Sequence, residues 1–162
     1  RLVYGSAANR TCSGTEYLLG YLYQGGVLSF MADPKETVVG EWMVKAERDL
    51  ASAIRLLEGD PPYLDTAVYH CQQAAEKALK GFLAARDQPL RRVHDLVLLI
   101  DECTDLDASF GQLAESAEIL TPYGTTFRYP GAACEPRMSE ALEAIACAKR
   151  ILDHVERIVA RG

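Results

Sequence analysis

The stretch "YHCQQAAEKALKGFLAARDQPLRRVHDL", residues 69–96, decides what kind of fold this chain builds. Cys71, Ala75, Ala78, Leu79 and Phe82 recur at three- and four-residue steps, and Leu64, Ala67 and Val68 carry the same face upstream. That period belongs to a helix with one buried stripe, because the side chains of a strand alternate every second residue. The helix spans about five to six turns at 3.6 residues per turn. Tyr69, Gln73, Glu76, Lys77 and Lys80 share the other side, where Glu76 and Lys80 have the spacing of an ordinary solvated i,i+4 ion pair. The pattern breaks at Pro89 and resumes with Leu96, Leu99, Ile100 and Cys103 as a shorter helix that has His94 at its entrance.

The same helical spacing governs both flanks. Val39, Trp42, Ala46, Leu50, Ile54 and Leu57 mark a helix that begins near Glu36 and is stopped by "EGDPPY", residues 58–63. Gly59 suits a helix C-terminus, and two prolines cannot continue the hydrogen-bond ladder. Phe110, Leu113, Ala114, Ala117 and Leu120 mark a fourth helix, with Asp107 or Ser109 as its N-cap. "TPYGTTFRYPGAACEP", residues 121–136, reads as an irregular loop. A long last helix runs from about Pro136 to Val159, with Met138, Leu142, Ile145, Ala148, Leu152, Val155 and Ile158 facing inward. No alternating β-branched run separates these segments, so the expected fold is all-α, an up-and-down bundle of four to five helices.

Residues 1–30 have a different character, with several Gly and Tyr residues, very few charges and no sustained helical period. Two readings stand. Either Met31 is the natural start and residues 1–30 are an extension upstream of it, or they form an N-terminal arm on the body. The helical domain is expected to occupy residues 31–162.

The 162 residues fit one domain that can bury a core without staples, and 49% apolar with 25% charged residues is the balance of a globular chain. A net charge of −6 argues against a surface that tracks nucleic acid along its whole extent, and leaves room only for a local basic patch. Five cysteines without a CxxC pair suggest neither a zinc site nor a disulfide framework, and buried thiols in a reducing cytoplasm are the plainer expectation. No apolar run approaches the roughly 20 residues of a membrane span. No Glu-x-x-His, GxxxxGK or HExxH motif occurs, so neither a metal nor a cofactor is expected.

The candidate chemistry lies in the quoted stretch and in the loop. Gln73, Lys77 and Lys80 could together meet a phosphate. "RRVH" concentrates donors at a helix start, where backbone N–H groups suit anions. Arg128 and Tyr129, in "FRYPG", sit on a loop that can carry a binding group. His70 reads as a packed residue, and Arg150 with His154 as an i,i+4 pair of surface neighbours or a joint site.

"EWMVKAERDLASAIRLL", "AVYHCQQAAEKALKGFLA", "RRVHDLVLLID" and "TPYGTTFRYPG", in that order ahead of a long helix, resemble a HEPN domain (higher eukaryotes and prokaryotes nucleotide-binding) over about residues 36–159. The resemblance implies a helical bundle, commonly dimeric, with the "QQAAEKALK" helix as a core element. It also implies one of two activities. Many HEPN proteins are metal-independent ribonucleases, often toxins, in which a dimer brings together two Arg-x(4–6)-His motifs. Others lack the motif and act as partners of minimal nucleotidyltransferases in toxin–antitoxin-like modules, or as nucleotide-binding modules.

Here Arg86 and His94 are separated by seven residues and Arg150 and His154 by three, while Arg91 and Arg92 are nearer still to His94. The first reading is therefore the branch without the motif: a cytoplasmic, homodimeric nucleotidyltransferase partner that binds nucleotide or RNA phosphate. Its expected site is Gln73, Lys77, Lys80, His94, Arg128 and Tyr129. The alternatives are a divergent ribonuclease using His94 with Arg128, or Arg150 with His154, and a ligand-free helical oligomerisation module.

Overall fold

The structure, a computed structural model, describes residues 33–127 and 135–161. Its elements are α1 (Pro34–Leu57), α2 (Leu64–Ala85), α3 (Leu96–Thr104), a 3-10 helix (Ala108–Leu113), α4 (Ala114–Leu120), a 3-10 turn (Thr121–Gly124) and α5 (Met138–Val159). No strand occurs among the described residues, and the all-α bundle expected from the spacing is the fold observed. The two readings of residues 1–30 and the sites expected at Arg128 and Tyr129 lie outside the described residues.

α1 starts where Asp33 accepts a hydrogen bond from the Lys35 N–H and Pro34 opens the first turn. It runs antiparallel to α2. Lys35 pairs with Asp87, Met43 lies against Gly81, and Asp49 meets Lys77 and His70, so partners descend along α2 as α1 ascends. The two helices approach closely at Gly81, where a Cβ would lie 3.1 Å from Met43 Sδ and 3.2 Å from Trp42 Cβ. So tight a contact favours small side chains along its seam, and Ala46, Ala53, Ala74 and Ala78 are fully buried. Ile54, expected inside, is instead 39% exposed, because Ala53 takes the seam position.

α2 is the central element and packs on α1, α3, α4 and α5. Cys71, Ala75, Leu79 and Phe82 are fully buried, as their period required. Beyond Ala85 the chain turns through Asp87 in the left-handed region (φ 56°), which aspartate tolerates better than most residues. The segment around Phe110 divides into the 3-10 helix and α4, and Asp107 is the cap, accepting from the Ser109 N–H. α5 begins at Met138, two residues later than expected, where Glu140 reaches back to the Arg137 N–H at 2.7 Å. Its buried stripe runs through Ala141, Ala144, Ala148, Ile151 and Val155. Met138 and Leu142 stand off that stripe and are 41% and 55% exposed, a correction to the inward face read from the sequence.

Candidate functional site

Glu76 is the hub of a polar network on α2. Its Oε1 accepts from Lys80 Nζ at 2.8 Å and its Oε2 from Gln72 Nε2 at 3.1 Å, and His94 Nδ1 lies 3.1 and 3.3 Å from the two oxygens. Gln72 also donates to the His94 carbonyl at 3.0 Å and accepts from Gln73 Nε2 at 2.7 Å. This corrects the wet helix face expected from spacing, since Gln72, Glu76 and Lys80 are all buried. Burial pushes the Glu76 carboxyl up, but the hydrogen bonds from Lys80 and Gln72, the Lys80 charge and the bond from His94 together hold it below the ordinary value.

A carboxylate only accepts, so His94 Nδ1–H donates to Glu76, and Nε2 is left for solvent or a ligand. The His94 side chain is 72% exposed. One face of the imidazole is therefore held by a buried anion while the rest is available. The backbone donors at the start of α3 are already committed. Asp95 accepts from the Val97 and Leu98 N–H groups and Thr121 Oγ1 from the Leu96 N–H, so the anion site imagined at this helix N-terminus is filled internally. Arg91 pairs with Glu102 at 3.4 Å.

Lys77 belongs to a second cluster. Asp49 of α1 accepts from Lys77 Nζ through Oδ2 and meets His70 Nδ1 through Oδ1 at 2.9 Å. Of the expected site residues, the structure joins Gln73, Lys80 and His94 around Gln72 and Glu76 and places Lys77 with Asp49. Sequence reasoning missed Gln72 and Asp49. Gln72 had a signal, since it precedes Glu76 and Lys80 at four-residue steps, whereas Asp49 meets partners on another helix and had none.

Arg150 and His154 part company. Arg150 is exposed and donates to Cys147 Sγ, while His154 is buried, packed edge-on against Phe110, and bonded to Ser109 Oγ at 3.0 Å. Arg157 and Gln112 both donate toward Nδ1, so Nε2–H donates to Ser109 and the hydroxyl is not activated by a base. Burial, then the Arg157 charge, hold His154 below its ordinary 6.5, and Asp107 opposes them only in part. The unfolded chain therefore takes up this proton first. Stability is full above about pH 6.5 and falls as pH drops through the interval down to the folded value. Thermal melts should show that fall, and His154→Gln should flatten it above the carboxylate range. An equally steep fall in the variant would assign it to other groups.

Burial, aided by the Cys147 charge for Cys71 and the Glu102 charge for Cys103, pushes both thiols up to about 12, so neither is a nucleophile at neutral pH. Among the described residues no cluster of His, Cys, Asp or Glu could hold a metal ion, and no helix is long and apolar enough to cross a membrane.

The HEPN domain family matches residues 39–158 of the chain. The crystal structure of an archaeal HEPN homologue is 31% identical, with a TM-score of 0.59 over 75% of this chain and 97% of the other. That of a protein from Thermus thermophilus is 34% identical, with a TM-score of 0.63 over 74% and 96%. The search of curated proteins found no match. With the family matched across α1 to α5, from Val39 to Ile158, and two solved relatives above 30% identity, the chain belongs to the HEPN domain family.

Proposed function

We propose that this chain is a HEPN domain of the branch without the ribonuclease motif. In this reading it is a cytoplasmic homodimer that serves a minimal nucleotidyltransferase as partner in a toxin–antitoxin-like module, and it presents His94 to a phosphate-bearing ligand, nucleotide or RNA. The Glu76–His94 contact carries the ligand part of the reading. A buried carboxylate fixes Nδ1 and leaves Nε2 of the exposed ring for a ligand, and the preceding Arg91 and Arg92 are exposed as well, Arg91 in a pair with Glu102. Lys80 contributes by holding Glu76 ionised, not by reaching the ligand. The partner part is supported by the absence of any Arg-x(4–6)-His pair among the arginines and histidines.

Affinity purification of the tagged chain at physiological salt should bring down a nucleotidyltransferase identifiable by mass spectrometry, and recovery of the chain alone would overturn the partner assignment. In an ATP titration, His94→Ala should weaken binding about tenfold, the loss of one hydrogen bond to a charged group. Unchanged affinity would remove His94 from the site.

The same contact favours one second reading, because a carboxylate-held imidazole also suits a general base. RNA incubated with the chain and EDTA separates the two. Intact RNA fits the binding partner, whereas cutting that His94→Ala stops would replace it with a metal-independent ribonuclease.

A further inference from the structure

Gln72 is fully buried in α2, and both hydrogens of its amide nitrogen go to groups that set His94. One reaches Oε2 of Glu76, the carboxylate that holds the ring, at 3.1 Å, and the other reaches the His94 carbonyl at 3.0 Å. A single nitrogen thus ties the backbone that carries the imidazole to the anion that orients it. Gln73 Nε2 donates to Gln72 Oε1 at 2.7 Å, which fixes the amide with its oxygen toward Gln73 and its nitrogen toward the two acceptors. A buried amide is costly unless it is bonded, and an apolar side chain would fill the same volume without that cost. What the amide adds at this position is its hold on His94.

The 3-10 turn Thr121–Gly124 closes over that amide. A Cβ on Gly124 would meet Gln72 Cδ at 3.1 Å, Nε2 at 3.2 Å and Oε1 at 3.4 Å. Distances so nearly equal place Gly124 over the flat face of the amide. Gly124 is not in the left-handed region, so its own backbone accepts other residues and the amide beneath it is what leaves no room for a side chain. The same turn also holds the far side of Asp95. Thr121 Oγ1 accepts from the Leu96 N–H at 3.2 Å and donates to the Ala117 carbonyl at 2.8 Å. The turn therefore grips the entrance of α3 at two points, directly at Leu96 and through Gln72 at His94.

We infer that Gln72 is a positioning residue for His94 and that the turn Thr121–Gly124 regulates it, a displacement of the turn passing through the Gln72 amide to the imidazole. This deepens the His94 reading and rests on it. With the turn seated, the amide keeps Glu76 and the His94 carbonyl in register and the ring keeps Nδ1 on the carboxylate. With the turn lifted, the face of the amide is uncovered, water competes for its nitrogen, and the ring can leave Glu76.

The test reads the ring itself, without ligand. Imidazole nitrogen NMR of the full chain, isotope-labelled at histidine and recorded at about pH 9 where imidazoles are neutral, gives the ratio of the Nδ1–H to the Nε2–H form. The His94 signals are those lost in His94→Ala, and in the starting chain the Nδ1–H form should dominate. Gln72→Met keeps the volume and deletes both bonds, so the ratio should fall about fivefold, the worth of one hydrogen bond. Gly124→Ala should shift it the same way, because the new Cβ pushes the amide off its acceptors. In the double variant the flexible Met side chain yields to that Cβ, so Gly124→Ala should add nothing to Gln72→Met. Phe110→Ala, which lies outside this network, should lower Tm and leave the ratio alone, and this separates positioning from stability. An unchanged ratio in Gln72→Met overturns the role of Gln72, and an unchanged ratio in Gly124→Ala overturns the role of the turn. If Gln72→Met does not fold, Gly124→Ala decides by itself. Shifted ratios in a chain whose ATP affinity ignores His94→Ala keep the relay and remove the ligand reading, whereas unchanged ratios beside an intact His94→Ala effect do the opposite.

Discussion

Glu76→Ala is expected to lower the unfolding free energy by about 3–5 kcal/mol, measured by urea denaturation at neutral pH. Lys80 is buried, with 9% of its side chain exposed, and its ammonium is bonded to Glu76 Oε1. Removing the carboxylate leaves that charge in a poorly solvated site with no counter-ion, and this, not the worth of the pair itself, is the main cost. Gln72 loses one of the two acceptors of its Nε2 and keeps the His94 carbonyl. His94 loses the bond that fixes its ring, so ligand affinity should fall with stability.

Glu76→Leu combined with Lys80→Met should recover much of the loss, because it removes both charges and refills the space with apolar volume. A loss below about 1 kcal/mol in the single variant would show that the released Lys80 reaches water along its flexible stem. Acid provides an independent check. The Glu76 carboxyl sits below its ordinary 4.5, so its contribution is present above that pH and is lost as pH falls through the folded value.

The helices were legible because their period is local. Cys71, Ala75, Leu79 and Phe82 had to share a face whatever they packed against, and all four are fully buried. The burial of the polar stripe beside them was not legible. An i,i+4 Glu76–Lys80 pair has the same spacing in water or in a core, and what covers it comes from elsewhere in the chain. The His94 carbonyl closes over Gln72 from 22 residues away. Gly124 lies so close that a Cβ there would be 3.1 Å from the Gln72 side chain. His94 was found as a helix-entrance residue, but its orientation by Glu76 depends on that closure. The same limit explains Leu142, which the heptad-like spacing placed inside and the packing of Ala141 and Ala144 left out.

Phe110→Ala should cost about 3–5 kcal/mol. Phe110 is fully buried, lies on the Phe82 ring with centroids 4.4 Å apart, and meets His154 edge-on at 4.8 Å. The segment that carries it, Ala108–Leu113, is a 3-10 helix, whose hydrogen-bond geometry is poorer than that of an α-helix, so packing, more than backbone bonding, keeps it docked. Truncation opens a cavity between α2 and α5, two long helices that cannot close on it without moving the rest of the bundle, which places the loss in the upper part of the usual range. The Ser109–His154 bond should loosen with it, and amide exchange across residues 108–120 should rise more than in α2. Phe82→Ala empties the neighbouring space, so the double variant should lose less than the two single losses added, by about 1 kcal/mol. A loss under about 2 kcal/mol in Phe110→Ala would show that the 3-10 segment slides in to fill the gap, and His154 would then keep its place without the ring beside it.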